Sequence, residues 1–361
     1  MNALTYITRR CYFNCDYCNF KDSSLKKELS PTEWIEAFKI LHEIGVKFNL
    51  ILGNESWIIG EPLIDIIKTL KDRKVSHALY TTCYKPLWHE KLGGFRKKFF
   101  SSKIIDNLSC GVDYPYRELQ RNSPMHSGLD LPNDMMQKSW LAFDAFRWIK
   151  KPGGWWTTPI DCQGTITMHK GNAHMVLDIL RDLTALGVFS GLNIIHYNSD
   201  GKFDMFPRKE EMPDMAFSEA DWGRVKYVFD EIKDWREDNK RLLLLQNADI
   251  YDNMTFKKLD MGWHCKGDPY GGPTIDADGS LRCCGYRKGE DTPTFTIWDL
   301  ADSRAEAEWK EAMKADADKC PGCCWSYPMM WDHHRKNPKR HNVFSQHDGE
   351  HIPENMVSSW R

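Results

Sequence analysis

Over its first 205 residues the chain alternates strand-like and helix-like segments, and that alternation leaves few folds open. Short apolar, β-branched runs at 3–8, 47–52, 77–82, 106–112, 160–168 and 192–197 read as strands. Ser30-Pro31-Thr32-Glu33 is a capping box with proline at the first helical position, and it opens an amphipathic helix that runs to about Ile44, where Gly45 ends it. Further helix-period segments lie at 63–74, 135–149 and 173–186. Strands joined through helices pair in parallel, because each connection must cross back over the sheet. Six such units in series predict an α/β fold, a parallel sheet closed or nearly closed as a partial (β/α)6 TIM-like barrel.

Beyond residue 205 the pattern changes. Residues 199–217 are polar and rich in Met and Pro, which reads as a long loop. Ser218-Glu219-Ala220-Asp221 caps a helix to about Trp235, and 241–246 reads as one further strand. From about Gly262 the chain is loop-rich, with one helix opened by Ser303-x-x-Glu306. The expected division is a barrel core at 1–205, a connecting helix and strand at 206–260, a small cysteine-bearing domain at 261–330 and a tail at 331–361.

Twelve cysteines in 361 residues are the compositional anomaly. Lys and Arg total 49 against 51 Asp and Glu, a net charge of −2, which argues against holding nucleic acid by charge alone and against a polybasic membrane binder. No apolar run approaches the length of a membrane span, and the N-terminus lacks the apolar core of a signal peptide, so the expected location is cytoplasmic with no membrane partner. That compartment keeps thiols reduced, so metal or cluster ligation is the expectation for the cysteines. They fall at 11, 15 and 18, singly at 83, 110 and 162, and again at 265, 283, 284, 320, 323 and 324.

Cys11-Tyr-Phe-Asn-Cys15-Asp-Tyr-Cys18 follows the first strand directly. Three thiolates on one compact loop can ligate three irons of a four-iron cluster, which normally takes four cysteines. The remaining iron is then open to a small chelating molecule to which it can pass one electron. A structural zinc site would be closed by a fourth local ligand, and none lies nearby. Cys-x3-Cys-x2-Cys after a first β-strand, with an aromatic residue before the third cysteine, resembles the radical S-adenosylmethionine (SAM) superfamily. The resemblance implies that Cys11, Cys15 and Cys18 hold a [4Fe-4S] cluster whose open iron binds the amino and carboxylate groups of SAM. It also implies reductive cleavage of SAM to a 5′-deoxyadenosyl radical, which abstracts a substrate hydrogen atom, and an external one-electron reductant of flavodoxin or ferredoxin type.

Further SAM contacts are implied by the same resemblance. Tyr17 is the aromatic of the motif. The family's Gly-Gly-Glu-Pro at the end of the second strand is matched in place by Gly53-Asn54-Glu55-Ser56, which lacks the second Gly and the Pro. Gly60-Glu61-Pro62 is closer in letters but stands at a helix start, so Glu55 is the residue expected to meet the SAM amino group. Ser109-Cys110-Gly111-Val112-Asp113 resembles the Ser-x-Asp region, which points to Ser109 and Asp113. Strand five, near Gln163 and Thr165, and strand six, at His196-Tyr197, are the remaining expected SAM positions.

The second cysteine group resembles the auxiliary-cluster domains of that superfamily, SPASM and its shorter twitch version. Cys265, thirteen residues, Gly279, four residues and Cys284 match their opening element, and Ile275-Asp-Ala-Asp-Gly279-Ser-Leu reads as a β-hairpin turning at Asp-Gly. Cys320-Pro-Gly-Cys323-Cys324 follows a helix. Cys265, Cys284, Cys320 and Cys323 would close a second [4Fe-4S] cluster, with Cys283 able to replace Cys284 and Cys324 able to replace Cys323. The same four thiols could instead form a zinc ribbon.

Cys83, Cys110 and Cys162 fall at predicted strands, where a buried cysteine is ordinarily a small hydrophobe. Cys110 stands where barrel strands end at the active face, and a thiol there could return a hydrogen atom to a substrate radical. Trp155-Trp156 could stack on a planar substrate, and the basic tail at 333–341 could meet a phosphate. Cys11 leaves no room for a leader-peptide-binding domain ahead of it, which favours a small metabolite substrate, changed by oxidation, bond formation or rearrangement. Modification of a nucleotide in nucleic acid, or of a peptide, is the alternative, and a non-enzymatic zinc-ribbon binding protein is the rival from another class.

Overall fold

A computed structural model of the chain describes residues 1–19, 27–52, 55–83, 99, 104–123, 131–150, 160–198, 206–239, 254–264, 272–282, 284 and 295–322. Its elements run β1 (Asn2–Tyr6), α1 (Pro31–Glu43), β2 (Phe48–Leu52), α2 (Pro62–Asp72), β3 (Ser76–Thr81) and β4 (Asn107–Gly111). They continue with α3 (Tyr116–Asn122), α4 (Asp134–Lys150), β5 (Asp161–Met168), α5 (Val176–Ala185), β6 (Phe189–Ile194), α6 (Trp222–Asn239), β7 (Thr274–Ile275), β8 (Leu281–Arg282) and α7 (Ser303–Asp318). One eight-stranded sheet has the order β6-β5-β4-β3-β2-β1-β7-β8. The first six strands pair in parallel with their sequence neighbours, and β6 does not return to β1, so the barrel is partial.

Local chemistry explains the element ends. Ser30 Oγ accepts from the Glu33 amide while the Glu33 carboxylate accepts from the Ser30 amide at 2.7 Å, the capping box read from the sequence. Trp34, Ala37, Phe38 and Leu41 then recur at helical spacing and are buried. Gly45 follows at φ +87°, the left-handed conformation glycine adopts without cost. Strand six lies at 189–194 rather than 192–197, because Gly187 ends α5 at φ +66° and the strand begins almost at once. Asp302, rather than Ser303, caps α7, its carboxylate accepting from the Arg304 amide at 2.8 Å. The strand read at 241–246, Trp155-Trp156 and the tail at 331–361 lie outside the described residues.

The two faces of the sheet differ. On β5, Cys162, Ile166 and Met168 are fully buried, while Thr165 and Thr167 on the alternate positions are only partly covered. Gly164 identifies the first face, since a Cβ there would meet Leu183 of α5 at 2.5 Å. That face packs under the helices, and the other, carrying Ser109, Gln163 and Thr165, lines the barrel interior.

The hairpin of β7 and β8 adds to the same sheet. Leu4 and Thr5 pair in parallel with Thr274 and Ile275, and Gly279 makes the turn at φ +85°. Beside this junction Asp276 accepts from Arg9 Nε and from Arg282 Nη1, each at 2.7 Å, and all three side chains are buried. The hairpin lies in the 261–330 segment, and backbone pairing joins it to β1 while a buried ionic cluster joins it to Arg9 just beyond.

Candidate active site

Parallel pairing brings the C-terminal ends of β1 to β6 to one end of the sheet, the functional face of barrels of this kind. The cysteine loop emerges there from β1. Its approach is fixed on both sides: Glu28 accepts from Thr8 Oγ1 at 3.0 Å and from the Arg9 amide at 2.7 Å, while the Arg9 side chain is held by Asp276. Within the loop the Phe13 amide donates to Cys11 Sγ at 3.4 Å, and the Cys18 amide donates to the Cys15 carbonyl at 2.9 Å. The Asn14 amide donates to Asp134 Oδ2 at 2.6 Å, anchoring the loop to the start of α4.

Burial pushes the Cys11 thiol up to about 11 and also raises Cys15, against the pull of the nearby Lys138 ammonium. Among the described residues no three His, Cys, Asp or Glu side chains converge as a single-ion site. Thiolates on a four-iron cube each meet their own iron and stand farther apart than thiolates around one zinc. Three soft donors on one loop, with no fourth cysteine beside them in the sequence, fit such a cluster.

Glu55 lies just beyond β2 and is fully buried. Its Oε1 accepts from the Trp57 amide at 3.1 Å and from Thr81 Oγ1 at 2.7 Å, its Oε2 accepts from Thr82 Oγ1, and its own amide donates to the Arg10 carbonyl at 3.1 Å. The residue expected at the end of strand two is thus tied to the start of the cysteine loop through its backbone, while its carboxylate is held by Trp57, Thr81 and Thr82. Gly60-Glu61-Pro62 opens α2 instead, as its letters suggested. Gly53 and Asn54 lie outside the described residues.

Asp113 crosses the barrel to the cysteine loop. Tyr17 Oη donates to Asp113 Oδ2 at 2.9 Å, and the Lys138 ammonium lies 2.6 Å from the same carboxylate oxygen and 2.5 Å from Tyr17 Oη. Asp113 is fixed from behind, its amide donating to Ser139 Oγ at 2.8 Å and its carbonyl accepting from Asn172 Nδ2 at 3.2 Å. Burial would lower the Lys138 ammonium, but Asp113 and the neighbouring Cys15, Tyr17 and Tyr80 raise it well above the usual lysine value. Gly111 makes room for this group, since a Cβ there would stand 2.6 Å from Tyr80 Oη and 3.0 Å from Lys138 Cε.

Ser109, Gln163 and Thr165 share the interior face, linked by a 3.0 Å hydroxyl pair between Ser109 and Thr165 and a 3.4 Å bond from Gln163 Nε2 to Thr165 Oγ1. His196 follows β6 by two residues, its Nδ1 2.9 Å from the Ile194 carbonyl and its ring stacked on Phe206, and burial lowers it to about 4. Cys110 is not brought to this group. It pairs in register with Gly164 on the helix-facing side, and its sulfur lies 3.0 Å from that of Cys83, with Cys162 near. Strand alternation, which a motif read as consecutive letters ignores, puts Cys110 on the opposite face from Ser109.

Two polar residues escaped the sequence reading. Lys138 lies on the buried stripe of α4 with Met135, Leu141 and Ala142, and a lysine within an apolar helical stripe was its signal. His169 is the first residue beyond β5, 2% exposed, its ring 6.4 Å from that of Tyr17. Neither ring nitrogen has a hydrogen-bond partner among the described residues, and burial lowers it to about 4.

Of the second cysteine group, Cys284 and Cys320 are described, both partly buried; Cys265, Cys283, Cys323 and Cys324 lie outside the described residues. Cys284 follows β8 by two residues, and Cys320 lies just past α7, its amide donating to the Ala317 carbonyl at 3.1 Å.

Comparison with known proteins bears on the fold. No protein-family model matches the chain, and no curated protein matches it. Among solved structures, Streptococcus suis SuiB bound to S-adenosylmethionine superposes with a TM-score of 0.60 at 10% identity, over 87% of this chain and 66% of that one. The chain thus spans about two thirds of that SuiB chain. SuiB bound to its precursor peptide SuiA gives 0.58 at 13% identity, over 91% and 70% of the two chains. AnSMEcpe with bound AdoMet and the Cp18Cys peptide gives 0.53 at 13% identity, over 99% and 98%. The chain has the fold of these proteins, an α/β partial barrel, as the sequence predicted. Among the described residues no helix is long and apolar enough to cross a membrane.

Proposed function

We propose that this chain is a radical SAM enzyme that holds two [4Fe-4S] clusters, cleaves S-adenosylmethionine reductively to a 5′-deoxyadenosyl radical and abstracts a hydrogen atom from its substrate. The observation that carries the reading is the Cys11, Cys15 and Cys18 loop at the end of β1, with Glu55 bonded beside it and Asp113 meeting it from across a partial barrel. Cys11, Cys15 and Cys18 would bind three irons of the first cluster. Cys265, Cys284, Cys320 and Cys323 would bind the second, in the segment 261–330 that follows the 1–205 core and the 206–260 connection.

The protein's own task is to bind, orient and exclude water. Glu55, held by Thr81, Thr82 and the Trp57 amide, would take the SAM ammonium group. Tyr17, Asp113, Ser109, Gln163 and His196 would line the remainder of the nucleoside and carboxylate site. A buried site of this kind shields a reactive radical from solvent while the cofactor supplies the chemistry. The electron comes from an external reductant of flavodoxin or ferredoxin type, and the compartment proposed is the cytoplasm.

The substrate proposed is a small molecule, changed by oxidation, bond formation or rearrangement. A peptide is the second reading, favoured by the two neighbours of the same fold that were solved with peptides. The test is release of 5′-deoxyadenosine from SAM by the anaerobically reconstituted, dithionite-reduced protein. The reading expects release that is lost in Cys15→Ala; no release above the variant's level, with clusters intact, would refute it. Release stimulated by polynucleotide and falling steeply with salt would move the substrate to nucleic acid.

A further inference from the structure

Lys138 is a cation buried against the cysteine loop. Its ammonium lies 3.8 Å from Cys15 Sγ, 2.5 Å from Tyr17 Oη and 2.6 Å from Asp113 Oδ2, and its side chain is 4% exposed. An ammonium has three protons to donate, and these are three acceptors. Tyr17 and Asp113 fix the group from two sides, so the remaining donor is directed at the sulfur. The contact joins α4 to a loop 123 residues earlier in the chain.

We propose that Lys138 is a positioning residue that sets how readily the N-terminal cluster accepts an electron, by holding a buried N–H⁺···S hydrogen bond on Cys15. The proposal rests on the radical SAM reading. One-electron reduction makes the cluster one unit more negative, with the electron supplied by a low-potential donor; no bond forms and no proton moves. A hydrogen bond and a positive charge at a ligand sulfur favour the more negative state and raise the potential. Burial keeps water from screening the charge. Asp113 opposes the effect, but the group that touches Cys15 is the ammonium and not the carboxylate.

The experiment is a mediated potentiometric titration with dithionite of the reconstituted full-length protein. It follows the electron-spin signal that is missing from the Cys11/Cys15/Cys18→Ala variant. Lys138→Met should lower the midpoint by about 59 mV, a tenfold fall in the reduced-to-oxidised ratio at fixed potential, and Lys138→Arg should recover most of it. Lys138→Met combined with Asp113→Asn leaves no lone buried carboxylate, and decides the matter should the single variant not fold; its midpoint should also fall. Midpoints within about 18 mV of wild type in the Met variants, a twofold change in that ratio, with the signal at full strength, would overturn the assignment of Lys138. A wild-type protein with no signal that the triple variant abolishes would instead overturn the radical SAM reading, and this proposal with it.

Discussion

Replacing Asp276 by Asn tests whether the C-terminal hairpin is clamped to the barrel. The carboxylate is 1% exposed and is shared by the guanidiniums of Arg9 and Arg282, which are 4% and 2% exposed. It also accepts from the Ala277 amide at 2.7 Å. Removing its charge takes away the carboxylate that the two buried cations share, and breaking a buried pair from one side costs about 3–5 kcal/mol. At about 4 kcal/mol, and a urea m-value of about 3 kcal/mol/M, the unfolding midpoint should fall by about 1.3 M. Lys226→Ala, which opens the exposed pair with Asp230, serves as the control and should cost about 0.5 kcal/mol or less. Against the burial that would raise it, the two arginines hold Asp276 below the usual carboxylate range. Its contribution is therefore complete above about pH 4, the unfolded value, and is lost as pH falls through the lower folded value. The difference between wild type and Asp276→Asn should shrink accordingly in strong acid. A loss below about 1 kcal/mol at pH 7 would show that the cluster does not hold the hairpin, and the reasoning would fail.

His169 and His196 predict a second pH dependence. Burial lowers both from 6.5 to about 4, so between those values the unfolded chain takes up protons that the folded one refuses, and stability falls as pH drops through that window. Each histidine is expected to contribute about 3 kcal/mol to the fall, and urea midpoints of His169→Gln should show a visibly flatter profile; an unchanged slope would contradict the assignment. Glu55→Gln should weaken equilibrium binding of SAM to the reconstituted protein by about tenfold to a hundredfold, as loss of a charge-assisted hydrogen bond of about 1.5–3 kcal/mol requires. Unchanged binding would remove Glu55 from the site.

Much of the fold was legible because each cue was local. The Ser30 box, Gly45 and the apolar, β-branched run at 160–168 are short-range patterns that fix a helix start, a helix end and a strand. The cysteine loop was legible for the same reason, its donors lying within eight residues. What the sequence concealed depends on contacts between distant segments. The pairing of β7 with β1 joins Leu4 to Thr274, the Asp276 cluster joins Arg9 to Arg282, and Lys138 reaches Cys15 from another helix. Cys110 was singled out for standing at a strand end, and that position alone does not say which face of the strand a residue occupies.

Iron and acid-labile sulfide, counted after anaerobic reconstitution in wild type and in the Cys11/Cys15/Cys18→Ala variant, address the central claim most directly. The account predicts about eight irons per chain falling to about four, two separate four-iron clusters of which the N-terminal loop holds one. About four irons lost entirely in the variant would keep the radical core and remove the second cluster. Zinc with no iron in the wild-type protein would contradict the account altogether.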